Sequence, residues 1–159
     1  MNNQRYLYFD IDHALAVHQY IIKRSGGLLG IKSQGTLESV LAHIQNDEYY
    51  PDFTDKLTHL VHSIIKLHTF NDGNKRASIA LGSFFLEINL HDYCVRKFMR
   101  EMENIVVAVA ENKIDKVLLR DLIDSILYEV DYSESLKMRL IDALDPTMLN
   151  GPVEGFDGE

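Results

Sequence analysis

The sequence contains a single cysteine, Cys94, so no disulfide can form within the chain, and this usage fits a reducing compartment. Cations are also scarce. Sixteen Lys and Arg stand against 24 Asp and Glu, a net charge of -8. That balance argues against non-specific binding to nucleic acid or to an anionic membrane, although a local basic pocket survives inside an acidic protein. The deficit is uneven: Glu129 to Glu159 holds eight acidic and two basic residues and so carries -6 of the total. No window approaches the ~18 uninterrupted apolar residues of a membrane span. The opening MNNQRYLYFDIDHA lacks the apolar run of a secretory leader. Neither an internal repeat nor a low-complexity run is present. These absences lead to an expectation of a soluble cytoplasmic protein that binds neither nucleic acid nor membrane.

What is present is a strong helical pattern. Apolar residues make up 46% of the 159, enough for one globular core. A helix is predicted from Ile11 to Arg24, capped by Asp10 or Asp12 and stopped by Gly26 and Gly27. QGTLESVLAHI reads as a second, with Leu37, Val40, Leu41 and Ile44 inward. QNDEYYPDFTD breaks the pattern and reads as an exposed loop or small hairpin. A core helix then runs from Thr54 or Asp55 to about His68, striped by Leu57, Leu60, Val61, Ile64 and Ile65. Another begins near Asn74, with small residues at Ala77, Ala80, Gly82 and Ser83 that permit close packing. HDYCV reads as a short extended piece, and two further amphipathic helices follow. The expected fold is all-α. Residues 1–130 are expected to form one domain, and residues 131–159 an acidic extension with one short helix and a mobile tail.

The two central helices are joined by HTFNDGNKR, His68 to Arg76. A turn that opens a helix presents free backbone N–H groups and the positive end of the helix dipole, which together suit an anion. Lys75 and Arg76 lie in that first turn, where cations are normally unfavourable. Their presence points to a compensating anionic ligand, with Arg76 suited to a bidentate phosphate contact. Asp72 beside a phosphate needs a hard cation such as Mg²⁺ between them. His68 can accept a proton near neutral pH. Phe70 is placed to anchor the loop, and Gly73 to supply a backbone geometry closed to other residues. The residues alone leave two readings open: phosphoryl or nucleotidyl transfer to a hydroxyl, or an ordinary polar turn of Asn, Asp and Gly. His59 and His62 read as packed or surface histidines, as do His13, His18, His43 and His91. Arg96, Lys97 and Arg100 read as a solvated basic face.

The stretch resembles the Fic-domain signature His-x-Phe-x-Asp/Glu-Gly-Asn-Gly/Lys-Arg, and still more its death-on-curing (Doc) branch, in which lysine precedes the arginine. The resemblance extends over roughly Phe9 to Tyr128. It implies a Fic/Doc-like helical bundle with a central helix-loop-helix and a small hairpin flap. It further implies His68 as the catalytic base, Asp72 as the Mg²⁺ ligand, Asn74 with Gly73, Lys75 and Arg76 around the nucleotide phosphates, and Phe70 as the structural anchor. The segment Asp47, Glu48, Tyr49, Tyr50, Asp52 and Phe53 falls where the family has its target-docking flap, which aligns a protein segment by backbone pairing.

Two departures from adenylyl-transferring members matter: Lys75 where they carry glycine, and Ile79 where they carry a second arginine. The Doc toxins share the lysine and are described as kinases that phosphorylate a threonine of translation elongation factor Tu. The resemblance therefore implies phosphoryl transfer from ATP or another NTP to a protein Ser/Thr hydroxyl. Adenylyl transfer (AMPylation) and a catalytically silent interaction module are the alternatives. Gly73 stands where the Doc toxins tend to carry alanine. The family's self-inhibitory signature has no full match, since NGPVEG supplies Glu154 and Gly155 but Asn150 in place of the hydroxyl residue. The resemblance then implies a separate small antitoxin as partner, and it admits a homodimer.

Overall fold

The computed structural model describes residues 5–145. Among these residues seven α-helices follow one another: α1 (Ile11–Ser25), α2 (Gln34–His43), α3 (Phe53–Lys66), α4 (Asn74–Ile88), α5 (Val95–Ala110), α6 (Lys116–Tyr128) and α7 (Glu134–Leu144). The all-α class expected from the sequence is the class observed. Two local expectations are corrected. HDYCV is not extended but contains a 3₁₀ turn, Asp92–Cys94. The hairpin expected around Tyr49 and Tyr50 is a succession of turns, and no strand forms among the described residues. The Asn, Asp and Pro of that segment favour local turns over a ladder.

The helix starts follow from their capping chemistry. Asp10, not Asp12, caps α1, its Oδ1 accepting the His13 N–H at 2.9 Å. Ser33, Asp115 and Ser133 accept from the third residue beyond them at the starts of α2, α6 and α7. Helix α1 ends at Gly26, whose N–H bonds the Ile22 carbonyl.

Helix α3 is the axis of the domain. It packs against α2, α4, α5 and α6, most extensively against α4. Leu57, Leu60, Val61 and Ile64 are fully buried, and Ile65 nearly so. Opposite them, Ala77, Leu81 and Phe85 of α4 are completely enclosed. Burial of each Leu, Val, Ile or Phe among them contributes about 1.5–3 kcal/mol, so the α3–α4 pair fixes the loop between them from both sides. Leu136 of α7 joins the same core, and the Tyr132 hydroxyl donates to Glu101 at 3.1 Å. Residues 146–159, including Asn150 and Glu154, lie outside the described residues. No helix among the described residues is long and apolar enough to cross a membrane.

Candidate functional site

The loop between α3 and α4 is shaped by its own backbone and by the turn that follows α1. Helix α3 ends with Leu67 as its C-cap, and His68 turns the chain with φ 44°, the left-handed region that non-glycine residues seldom enter. The His68 side chain is exposed. Thr69, Phe70 and Asn71 then pair with the post-α1 turn. Lys32 N–H donates to the Thr69 carbonyl and Asn71 N–H to the Gly30 carbonyl, both at 3.0 Å. They flank an antiparallel bridge between Ile31 and Phe70.

Phe70 is fully buried and stacks on the His18 ring at 3.9 Å and 3°. Asn74 braces the turn twice. Its Oδ1 accepts the Phe70 N–H at 2.8 Å and its Nδ2 donates to the Phe70 carbonyl at 3.0 Å. Asn74 is therefore the first residue of α4, its side chain spent on Phe70 and not on capping. Gly73 is the cap, with φ 73° and no side chain to offer. That left-handed geometry is tolerated best by glycine.

Asp72 is tied by both carboxylate oxygens. Oδ1 accepts the Gly73 N–H at 2.8 Å and Oδ2 the Leu28 N–H at 3.1 Å. These amides, the Leu28 bond foremost, hold its carboxyl below the usual carboxylate range. The Asp72 carbonyl accepts from His18 Nε2 at 2.7 Å, which requires the proton on that nitrogen. Gly27 makes the approach possible. A Cβ there would lie 2.4 Å from Asp72 Oδ2.

Arg76, half-buried, reaches back to α1: Nη1 donates to the Ser25 hydroxyl and to the Gly26 carbonyl, the latter at 3.0 Å. From sequence, a cation at this helix start needs an external anion. In the structure part of that compensation comes from within, because the C-terminal carbonyls of α1 carry the opposite end of a helix dipole. Lys75 is exposed and has no ion-pair partner among the described residues. Gly73, Asn74, Lys75 and Arg76 thus open α4 together, with Asp72 and His68 on the turn before it. The amides of Asn74, Lys75 and Arg76 precede the first intrahelical bond, from Ala77 N–H to the Gly73 carbonyl. They point out of the helix as anion donors.

Could Mg²⁺ fit here? One carboxylate is a partial ligand set for that ion, which is commonly held by one or two carboxylates with substrate phosphates and water completing the shell. Each Asp72 oxygen keeps a lone pair beyond its amide bond, so the donor chemistry is compatible. Among the described residues no group of three or more His, Cys, Asp or Glu forms a metal site of its own.

The segment expected to dock a target is set differently. Asp47 pairs with Lys56 Nζ at 2.7 Å. Tyr50 stacks on His59 at 4.3 Å. Asp52 faces Arg120 at 3.6 Å. Phe53 is a core residue of α3, 3% exposed, so its ring is unavailable to a partner. Glu48 and Tyr49 are exposed.

Sequence reasoning passed over His18, Ser25 and Gly27 as members of the site. His18 looked like one packed histidine among seven, and only the fold brings it to Asp72, 54 residues away. A signal for the glycines did exist: the GG pair sits where a turn must admit another chain segment.

Comparison with known proteins follows the same residues. A family model described as the Fic/DOC family matches residues 8–86. The chain is 33% identical over 82 residues to "Protein kinase doc" of Escherichia phage P1, spanning 49% of this chain and 64% of that protein. It is 37% identical over 68 residues to "Toxin Doc" of Mycolicibacterium smegmatis (strain ATCC 700084 / mc(2)155), spanning 40% and 52%. The chain therefore matches between about half and two thirds of these relatives' lengths. With the braced loop at its centre and this match around it, the chain belongs to the Fic/Doc superfamily.

Proposed function

We propose that this protein transfers the γ-phosphoryl group of ATP, or of another nucleoside triphosphate, to a Ser or Thr hydroxyl of a target protein, as a Doc-like toxin. The observation that carries the reading is the mouth of α4, where outward amides, Arg76, Lys75 and Asp72 share one turn with an exposed His68. Similarity to a relative named a protein kinase supports phosphoryl over adenylyl transfer. A translation factor is the candidate target.

In this reading His68 takes the proton of the acceptor hydroxyl as its oxygen bonds the γ-phosphorus and the nucleoside diphosphate leaves. The Asn74–Arg76 amides and the Arg76 guanidinium hold the phosphate charge. Asp72 would hold Mg²⁺, which when bound neutralises phosphate oxygens. The amide bonds to Asp72 and the Asn74 brace keep these groups in place before substrate arrives, so little reorganisation is left for the reaction step.

A second reading, a catalytically silent interaction module, draws on a specific observation: both Asp72 oxygens and one Arg76 nitrogen are already bonded within the chain. Incubation of the purified protein, Mg²⁺ and a bacterial lysate with γ- or α-labelled ATP separates the possibilities. Protein-bound γ label that disappears in His68→Ala is expected. Retention of α label instead means adenylyl transfer. No label, together with no ATP–Mg²⁺ binding by calorimetry, means the module.

A further inference from the structure

Which edge of the Arg76 guanidinium an anion can reach is decided by Ser25, the last residue of α1. A guanidinium has five N–H groups to place. Nη1 donates to the Ser25 hydroxyl and to the Gly26 carbonyl, and so has an acceptor for each of its two hydrogens. Nε and Nη2 make no hydrogen bond among the described residues. Nη2 lies beside Gly73, the cap of α4: a Cβ there would stand 3.3 Å from it. The unspent Nε–Nη2 edge is a fork of parallel donors, the geometry that takes two phosphate oxygens at once.

Ser25 is set for this task by a bond of its own. Its hydroxyl donates to the Ile21 carbonyl at 2.7 Å, one turn back in α1, which leaves the oxygen lone pairs to Arg76. Both anchors of Nη1 are neutral groups. No carboxylate lies within ion-pair distance of Arg76 among the described residues, so the side chain is oriented without its charge being cancelled. An acidic anchor in the same place would compete with phosphate for the cation. A free arginine must also be ordered when an anion arrives, and that cost falls on binding. Tied to the end of α1, Arg76 is ordered already.

We propose that Ser25 is a positioning residue of the phosphate site: its hydroxyl, with the Gly26 carbonyl, holds Nη1 so that the Nε–Nη2 fork faces the mouth of α4 before a nucleotide arrives. Ser25 touches no reacting atom and acts through Arg76. The inference rests on the reading above that nucleotide phosphates bind at this mouth. It adds that Ser25 governs how tightly the nucleotide is held, not how fast the phosphoryl group moves. Ordering Arg76 in advance helps the ground state and the transition state equally, and an effect of that kind appears in KM and not in kcat.

The full-length chain, Mg²⁺ and a dialysed bacterial lysate, incubated with γ-labelled ATP over a range of concentrations, test it. The protein-bound label that disappears in His68→Ala is the signal. Ser25→Ala is expected to raise the apparent KM for ATP about fivefold and to leave the maximal rate unchanged. Loss of folded protein would do the opposite, lowering the maximal rate at constant KM. Alanine is also the better helix former, so α1 itself is not weakened. Ser25→Thr keeps a hydroxyl and is expected to restore the KM. Calorimetric titration of ATP–Mg²⁺ into His68→Ala, with and without Ser25→Ala, should show the same factor in Kd in the absence of turnover. An unchanged KM and Kd in Ser25→Ala overturns the proposal. So does tighter binding, since the contact would then be a restraint that the nucleotide has to break, and so does a Ser25→Thr chain that behaves like Ser25→Ala. ATP–Mg²⁺ binding without transferred label overturns the phosphotransfer reading alone, and the Kd comparison then decides. Neither binding nor label overturns both.

Discussion

Two segments flank α3, and they are held by opposite means. Residues 67–73, after the helix, are fixed mostly through backbone groups: the Ile31–Phe70 bridge, main-chain amides on the Asp72 carboxylate, and glycines that let the backbones meet. Residues 44–52, before it, are fixed by side chains: Lys56 on the Ile44 carbonyl and Asp47, His59 under Tyr50, and Arg120 against Asp52. The bridge itself is insensitive to most substitutions, but the crossing is intolerant of any added Cβ and leans on the Asp72 carboxylate and the Asn74 amide. Side-chain fixing is the reverse. A phosphate cradle gains from the first arrangement, because donors must not move. A segment that adapts to a protein partner gains from the second.

The largest effect that would break this contrast lies at Lys56. Its side chain is wholly buried and donates to the Ile44 carbonyl at 2.8 Å and to Asp47 at 2.7 Å. Lys56→Ala removes both bonds and leaves a void. It is expected to cost about 3 kcal/mol in urea denaturation, while hydrogen exchange of the Lys32 and Asn71 amides stays protected relative to global unfolding.

Acidification should reach the same segment next. His59 binds its proton in the unfolded chain near pH 6.5 but in the folded protein only near 4. Between those values the unfolded state holds more protons, so stability rises with pH through the window and falls on acidification. The contribution is on the order of 2–3 kcal/mol. His59→Phe is expected to flatten the stability profile between pH 4 and 6.5; an unchanged slope would assign the acid limb elsewhere.

On the other side of α3, Gly27→Ala places a methyl on Asp72 Oδ2 at a φ of 120°. About 2 kcal/mol of stability should be lost, together with the Leu28–Asp72 bond. A crystal structure or amide exchange at Leu28 would register that loss. The smallest expected effect is at His18. His18→Phe keeps a ring stacked on Phe70 but cannot donate to the Asp72 carbonyl, and should cost about 1 kcal/mol. Equal effects for the glycine and histidine variants would argue against the main-chain account of this loop.

Much of the fold was legible because the apolar stripe of α3, Leu57 through Ile65, repeats with helical period and no other element competes for it. The acidic cap offered at Asp10 placed the start of α1 where it is observed. The departures have local causes. Helix α4 starts at Asn74 as expected, but with Gly73 as cap, because the asparagine side chain is engaged with Phe70. HDYCV adopts a 3₁₀ turn, in which the Cys94 N–H bonds the His91 carbonyl. At the candidate site, residue types on the loop suggested an anion site but left a plain polar turn open, and the individual roles came from the family resemblance. The loop's partners on α1 and the turn beyond it were not legible. His18, Ser25 and Gly27 meet the loop only through packing, and nothing in a local pattern marks a residue whose partner lies about 50 positions away.

That long reach bears on how the molecule is assembled. The bonds from His18, Leu28 and Arg76 each close over 44 to 54 residues, whereas the α3–α4 hairpin is a near-neighbour contact that can form early. The first helix is thus the last stone of the arch: should it detach, the cradle would come apart while the helical scaffold stands.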